Sequence, residues 1–227
     1  MRSPWISEIG AIVRKELLTE LRSKSATFTA FMLSGVTVFT LAFAFYGRDL
    51  TSEAASGMLW AALLFAGVGT LTRAFVAEEE QGTGDLLRMW ARPHAVYWGK
   101  VTFAFLQMSV TAFMVALMFL VLTGVGVGNY LMMALTLLGG SGALAGMVTL
   151  VSALIARGNN RGTLAGVVAL PLLVPLVALG VTAGRIAIES SPLNPTAGWS
   201  SCAGVWLYTL VVLATAPYQF AAVWGEP

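Results

Sequence analysis

The chain alternates long apolar runs with short polar connectors. Six runs contain no Asp, Glu, Lys, Arg or His, and each has roughly the length that a membrane-spanning helix requires, about 20 predominantly apolar residues. These runs are residues 26–46, 55–72, 101–123, 130–156, 163–183 and 199–224. Because lipid offers no partners for backbone N–H and C=O groups, each run predicts a helix. The pattern therefore predicts an all-α membrane protein with six transmembrane helices.

Residues 5–24, before the first run, predict an amphipathic helix. The apolar positions fall on one broad face at helical spacing: Trp5, Ile6, Ile9, Ile12, Val13, Leu17 and Leu21. Arg14, Lys15 and Arg22 lie on the opposite face. This pattern is typical of an interfacial helix that lies along the membrane surface.

Two acidic residues, Glu16 and Glu20, interrupt the apolar face of this helix. A carboxylate in apolar surroundings is costly unless it is paired. One hypothesis is that Glu16 pairs with a basic group from a later polar segment, such as Arg88, Arg92 or Lys100. The alternative is that both carboxylates reach interfacial water.

That polar segment, residues 75–100, lies between the second and third runs. Three acids, Glu78, Glu79 and Glu80, lead into Gly82 and Gly84, which permit a tight turn. No other polar segment of this size occurs among the apolar runs.

The segment predicts a short helix from about residue 84 to residue 91. Asp85 lies in its first turn and Arg92 near its end, which suits the helix dipole, and Pro93 ends it. Its apolar side contains Leu86, Leu87, Met89 and Trp90. We interpret it as a surface helix that binds a soluble partner. The alternative is a solvated loop with no partner.

The amino-acid composition restricts the classes of function that the chain can have. The chain is 57% hydrophobic and only 11% charged, against about 25% charged residues in soluble domains. A net charge of +2 gives no indication of nucleic-acid binding, and the single Cys202 allows neither an internal disulfide nor a cysteine metal cluster.

The apolar runs also lack the groups that several membrane functions need. An ion-coupled carrier usually keeps an ionisable group within the bilayer, and an intramembrane protease needs polar catalytic or metal-binding residues there. The phosphate-binding motif GxxxxGK[ST] is absent as well. An enzyme is therefore the least favoured class, and any ATP-driven work requires another subunit.

Two runs contain residues that affect helix packing. Gly139 and Gly140 lie in the glycine-rich middle of the fourth run, where small residues let helix backbones approach closely. Pro171 and Pro175, one turn apart, predict a bend in the fifth run. We expect all four residues to have structural roles.

Basic residues predict the orientation. Eleven Lys and Arg residues lie before the first run, between the second and third runs, or in the loop 157–161, and only Arg48 and Arg185 lie on the other side. Because Lys and Arg favour the cytoplasmic side, both termini and the polar segment are predicted to be cytoplasmic, with Tyr97 and Trp98 at the inner membrane interface.

This topology divides the chain into two parts. Residues 1–25 form a cytoplasmic amphipathic helix, and residues 26–227 form a six-span domain. The six-span domain includes the predicted surface helix within residues 76–98.

Five short patterns occur in a fixed order along nearly the whole chain. They comprise Ala55, Gly57, Trp60, Ala62 and Leu63; Arg73, Phe75, Gly82, Leu86 and Pro93; Gly99, Lys100 and Val101; Leu138, Gly139, Leu144 and Gly146; and Arg161, Gly162, Leu164, Leu170, Pro171, Leu172, Pro175 and Leu176. With these patterns and this layout, the chain resembles the permease subunits of ABC-2-type ABC transporters. More narrowly, it resembles the CcmB family, the haem exporter permeases of cytochrome c maturation.

The resemblance implies a subunit of a larger assembly in the inner membrane. ATP would be hydrolysed by an ATP-binding subunit on the cytoplasmic face, with two permease copies joining two ATPases. Haem-handling membrane proteins of cytochrome c maturation would complete the complex. The permease itself would have no catalytic residues and no metal site, and its cofactor-binding residues stay unknown. ATP hydrolysis by the partner would drive haem export or the release of a haem-loaded chaperone, with haem as a possible substrate.

The resemblance also implies that residues 76–98 contain the coupling helix, which binds a groove on the ATPase. Its buried contact would be formed by Leu86, Leu87 and Trp90. The charged residues around that contact would be Glu78, Glu79, Glu80, Asp85 and Arg92.

Two alternatives stay open. One is an ABC-2-type permease for another amphipathic substrate, a lipid or a drug. The other is a scaffold that transports nothing and anchors an ATPase beside haem-handling proteins.

We expect a cysteine that replaces Pro4 to be protected from a membrane-impermeant thiol reagent in intact cells, because the amino terminus is predicted to be cytoplasmic. Labelling before and after lysis, with Cys202 replaced by alanine, measures this. Labelling of intact cells would contradict the predicted topology.

Overall fold

A computed structural model describes residues 5–23, 25–47, 49–71, 82, 87, 89–157, 161–189 and 194–225. These residues form an all-α fold. Its main helices are α1 (Trp5–Ser23), α2 (Ser25–Ala44), α3 (Ser52–Leu71), α4 (Pro93–Thr123), α5 (Tyr130–Arg157), α6 (Arg161–Ile188) and α7 (Pro195–Gly225).

Five of these helices, α2 and α4 to α7, are long and apolar enough to cross a membrane. The chain is therefore a multi-pass membrane protein. The second predicted run, residues 55–72, coincides with α3, except that Thr72 lies outside the described residues. The full count of six spans stays a prediction.

Helix α4 begins eight residues earlier than the apolar run that predicted it. Pro93, which was predicted to end the preceding short helix, is the first residue of α4. Proline is favoured at the first helical position because its missing N–H has no acceptor there anyway. With 31 residues, α4 is about 46 Å long, which exceeds the roughly 30 Å of bilayer hydrocarbon.

Helix α5 lies at the centre of the bundle and packs against α3, α4, α6 and α7. Its glycines allow this crowding. A Cβ atom on Gly140 would lie 2.5 Å from the Trp60 ring of α3, and one on Gly180 of α6 would also meet that ring. Trp60 is fully buried, so it occupies a slot that only glycine leaves open.

Gly139 also lets α5 approach α7 closely. A Cβ atom there would lie 3.0 Å from Val205. The Thr209 hydroxyl of α7 donates a hydrogen bond to the Gly139 carbonyl at 2.8 Å. The glycine-rich part of α5 thus packs against both neighbours, as small residues permit.

Pro171 and Pro175 lie inside α6, which continues through both. A proline has no N–H and disturbs the backbone of the preceding turn. The Leu172 carbonyl in that turn accepts a hydrogen bond from the Tyr208 hydroxyl of α7. A side chain from another helix therefore satisfies a polar backbone group beside the prolines.

At the end of the bundle away from α1, an ion pair joins α3 to α6. Arg185 lies 3.0 Å from Glu53 and 3.7 Å from Glu189. A hydrogen bond from its own backbone N–H, together with Arg185, lowers the pKa of Glu53. Glu53 is exposed, so this pair contributes little to stability.

We expect Gly140→Ala to lower the free energy of unfolding by about 1–3 kcal/mol, because its Cβ would collide with Trp60 in a filled core. Thermal unfolding in detergent measures this. Gly57→Ala is the matched control, since a Cβ there meets nothing within 4 Å. Equal stability of the two variants would contradict the packing.

Candidate functional site

Helix α1 lies along the start of α4, and two ion pairs with the same spacing join them. Arg92 lies 4.0 Å from Glu8, and Lys100 lies 2.9 Å from Glu16. In both pairs the basic residue follows its partner by 84 positions. Equal spacing means that the two helices run in the same direction here. We call this contact, α1 with residues 92–100, the junction.

Between the two ion pairs the helix backbones come close together. A Cβ atom on Gly99 would lie 2.7 Å from the Ile12 side chain, and Ile12 is buried. Glycine at position 99 therefore lets α1 settle against α4. The junction thus has a close helix–helix contact at Gly99 and Ile12, and two ion pairs, Arg92 with Glu8 and Lys100 with Glu16.

Of the two ion pairs, Lys100 with Glu16 is the more buried. The Lys100 side chain is 3% exposed and that of Glu16 is 17% exposed, and the Lys100 ammonium donates a hydrogen bond to the Glu16 carboxylate. Lys15 approaches the same carboxylate at 3.6 Å but is 49% exposed. Removing one partner of a buried pair leaves an uncompensated charge, which is strongly destabilising.

The sequence named three basic partners for Glu16, and the structure selects Lys100. Arg92 contacts Glu8 instead, and Arg88 lies outside the described residues. The alternative, in which both carboxylates reach only water, is wrong. Glu20 accepts a hydrogen bond at 2.8 Å from the Thr27 backbone N–H in the first turn of α2.

This capping role of Glu20 was missed in the sequence. The first N–H groups of a helix lack partners within the helix, and a carboxylate is favoured there. The signal was the position of Glu20, an acid only a few residues before the first apolar run.

An aromatic cluster supports the junction from the side of α5 and α7. Tyr97 is fully buried, with ring centroids 5.5 Å from Phe220, which in turn lies 5.1 Å from Trp224. The Tyr97 hydroxyl is within reach of the Gly146 carbonyl, at 3.4 Å. Tyr97 therefore points into the bundle, and its place at the inner membrane interface stays a prediction.

The predicted surface helix is described only in part. Gly82 has a φ of +67°, which is consistent with the predicted turn. Leu87, Met89 and Trp90 are helical, and the Ala91 N–H donates to the Leu87 carbonyl at 3.1 Å. Arg92, also a predicted partner contact, pairs with Glu8. Five further predicted partner contacts lie outside the described residues: Glu78, Glu79, Glu80, Asp85 and Leu86.

The described part of this helix has two different sides. Leu87 is half-buried and packs against the apolar cluster of the bundle that includes Tyr97, Phe220 and Trp224. Met89 and Trp90 are 75% and 85% exposed. Among the predicted apolar contacts, Trp90 is thus presented to the outside, whereas Leu87 fastens the helix to the rest of the protein.

Within the described ranges, no three His, Cys, Asp or Glu side chains are grouped closely enough to hold a metal ion. Cys202 is buried in the bundle. The described chemistry of the junction is therefore that of ion pairing and apolar contact.

Comparison with known proteins gives a consistent result. The chain matches the family described as CcmB protein over residues 7–224. It is 28% identical to heme exporter protein B of Bradyrhizobium diazoefficiens over 223 residues, which covers 96% of this chain and 97% of the relative. It is 30% identical to heme exporter protein B of Rhodobacter capsulatus over 176 residues, 77% of this chain and 78% of the relative.

We expect Lys100→Gln and Glu16→Gln each to lower the free energy of unfolding by about 3–5 kcal/mol, because each leaves the other charge buried alone. The double variant should be more stable than the sum predicts, by about 0.5–3 kcal/mol. Denaturant unfolding in detergent measures the cycle.

Lys15→Gln is the control for this cycle. Its ammonium approaches the same carboxylate from an exposed position, so its loss should cost less than about 1 kcal/mol. Strict additivity of Lys100→Gln and Glu16→Gln would contradict the pairing.

Proposed function

Because the chain belongs to the CcmB family, we propose that it is the membrane permease of an ATP-driven haem exporter that serves the maturation of c-type cytochromes. The observation that carries this proposal is the family match over almost the entire chain, together with relatives named heme exporter protein B that are matched over most of their length. In this proposal the permease catalyses no reaction itself. A partner subunit hydrolyses ATP.

The exposed pair Met89 and Trp90 supports a docking site for that ATPase. Large apolar side chains that project from a short polar segment are typical of protein contact sites. Leu87 holds the opposite side of the same helix on the bundle. A partner that binds Met89 and Trp90 would therefore push on a helix that is already attached to the membrane domain.

The position of this short helix makes it a coupling element. Only Ala91 and Arg92 separate its described residues from Pro93, where α4 begins. A displacement of the short helix would therefore be transmitted to α4, a helix of 31 residues, because no long flexible linker lies between them. ATP binding could then shift the bundle between two states through its different affinity for each.

The distribution of charge supports a cytoplasmic location for the junction. Arg14, Lys15 and Arg22 of α1 are exposed at this end, and basic residues favour the cytoplasmic side. We therefore place both termini in the cytoplasm, the protein in the inner membrane, and residues 26–227 in a six-span domain. The complete assembly would contain two permeases, two ATPases and haem-handling membrane proteins.

Trp90→Ala should weaken binding of the ATPase subunit by roughly 30-fold, the effect of losing a typical interface hot spot of about 2 kcal/mol. Co-purification in mild detergent at graded ATPase concentrations measures it. Tyr46→Ala is the matched control, because Tyr46 is equally exposed at the other end of the bundle. Unchanged binding by Trp90→Ala would contradict the docking site.

Reconstitution in liposomes tests the transport itself. With the permease, its ATPase and haem, we expect haem to cross the membrane only when ATP is hydrolysed. Movement of a lipid or a drug but not haem would favour a permease for another substrate. Hydrolysis without movement of any of them would favour a scaffold.

A further inference from the structure

We propose that Glu16 and Lys100 are positioning residues that keep α1 fixed to α4, so that a displacement of the short helix before α4 also reaches α2. This inference rests on the proposed function, since the partner ATPase supplies the displacement. It assigns α1 the role of a transmission element, beyond that of a helix at the membrane surface.

The junction lies directly after the short helix. It has three contacts: Arg92 with Glu8, Gly99 with Ile12, and Lys100 with Glu16. All three fall within residues 92–100, that is, the start of α4 and the residue before it. That stretch is about 12 Å long. A partner that moves Met89 and Trp90 therefore acts on the part of α4 to which α1 is attached.

From α1 the contact continues into α2. Only Lys24 separates the two helices, and Glu20 holds the Thr27 backbone N–H in the first turn of α2. The Gln107 side chain of α4 donates to the Thr27 hydroxyl at 3.2 Å. The start of α2 is thus held by both α1 and α4, and all three move together when the junction stays closed.

The choice of a buried ion pair, in place of an apolar contact, fits this role. A well-packed apolar pair usually gives as much stability as a buried ion pair, whereas an ion pair defines register. If α1 slid along α4 by one turn, Lys100 and Glu16 would separate in a protected environment. In such a slide Glu20 could take the place of Glu16, but Ile12 would then face Arg92 in place of Glu8. The two ion pairs together therefore permit one alignment, which a transmitting contact requires.

The first test compares permeases bound to the ATPase subunit. Two quantities are measured: the amount of ATPase bound to the permease, and the factor by which the permease changes the rate of ATP hydrolysis. For Lys100→Gln we expect normal ATPase binding but a factor reduced about fivefold or more, the lower end of typical coupling effects. The reversed pair, Glu16→Lys with Lys100→Glu, should restore the factor, and Lys15→Gln should leave it unchanged.

The second test does not depend on the ion pair. It uses a permease with Ile12→Cys and Gly99→Cys, in which Cys202 is replaced by alanine. The two new thiols face each other where α1 and α4 come closest. Their Cβ atoms start 2.7 Å apart, so a disulfide needs an opening of about 1 Å. If α1 and α4 move as a unit, the oxidised permease should retain the factor of its reduced form, because the bond joins two helices that do not move relative to each other.

Each outcome has one meaning. A wild-type permease that neither binds the ATPase nor changes its rate overturns the proposed function, and this inference with it. If wild-type coupling is present, the positioning role is overturned when Lys100→Gln retains the full factor, or when oxidation of the 12–99 pair abolishes coupling and reduction restores it.

Discussion

The buried contact between the Lys100 ammonium and the Glu16 carboxylate, 2.9 Å long, determines how the amino-terminal helix relates to the membrane bundle. A lysine that is 3% exposed needs an opposite charge, because an unpaired charge in low-polarity surroundings is very costly. Only one alignment of α1 on α4 supplies that charge and also places Glu8 beside Arg92. Gly99 makes the alignment sterically feasible, and Glu8 with Arg92 repeats it at the outer end of the junction.

The rest of the bundle is arranged so that this end is both rigid and accessible. Tyr97, Phe220 and Trp224 fill the space behind the junction, while Trp90 projects outwards. Deeper in the bundle, Trp60 fills the slot beside Gly140. In a membrane, the burial of apolar surface contributes little to helix association. Close packing and interhelical hydrogen bonds stabilise the bundle instead.

The apolar runs predicted most of the helices, because membrane spans depend on a local property, a continuous stretch of apolar residues. Pairing was predicted less completely. The misplaced charge of Glu16 showed that a partner was needed, but three basic residues were equally suitable by spacing alone. An aromatic residue beside an apolar run is common at membrane interfaces, but the burial of Tyr97 could not be predicted because it depends on α5 and α7. The Trp60 slot likewise requires glycines from separate helices, which no local pattern connects.

The central claim is that α1 and the start of α4 move as one body. The most direct measurement is the distance between spin labels on Leu18 and Thr102, both exposed, in the permease–ATPase complex without nucleotide and with ATP trapped. The account predicts the same narrow distance distribution in both states, while a label at position 90 moves relative to one at position 46. A change of about one helical turn, roughly 5 Å, between Leu18 and Thr102 would contradict it.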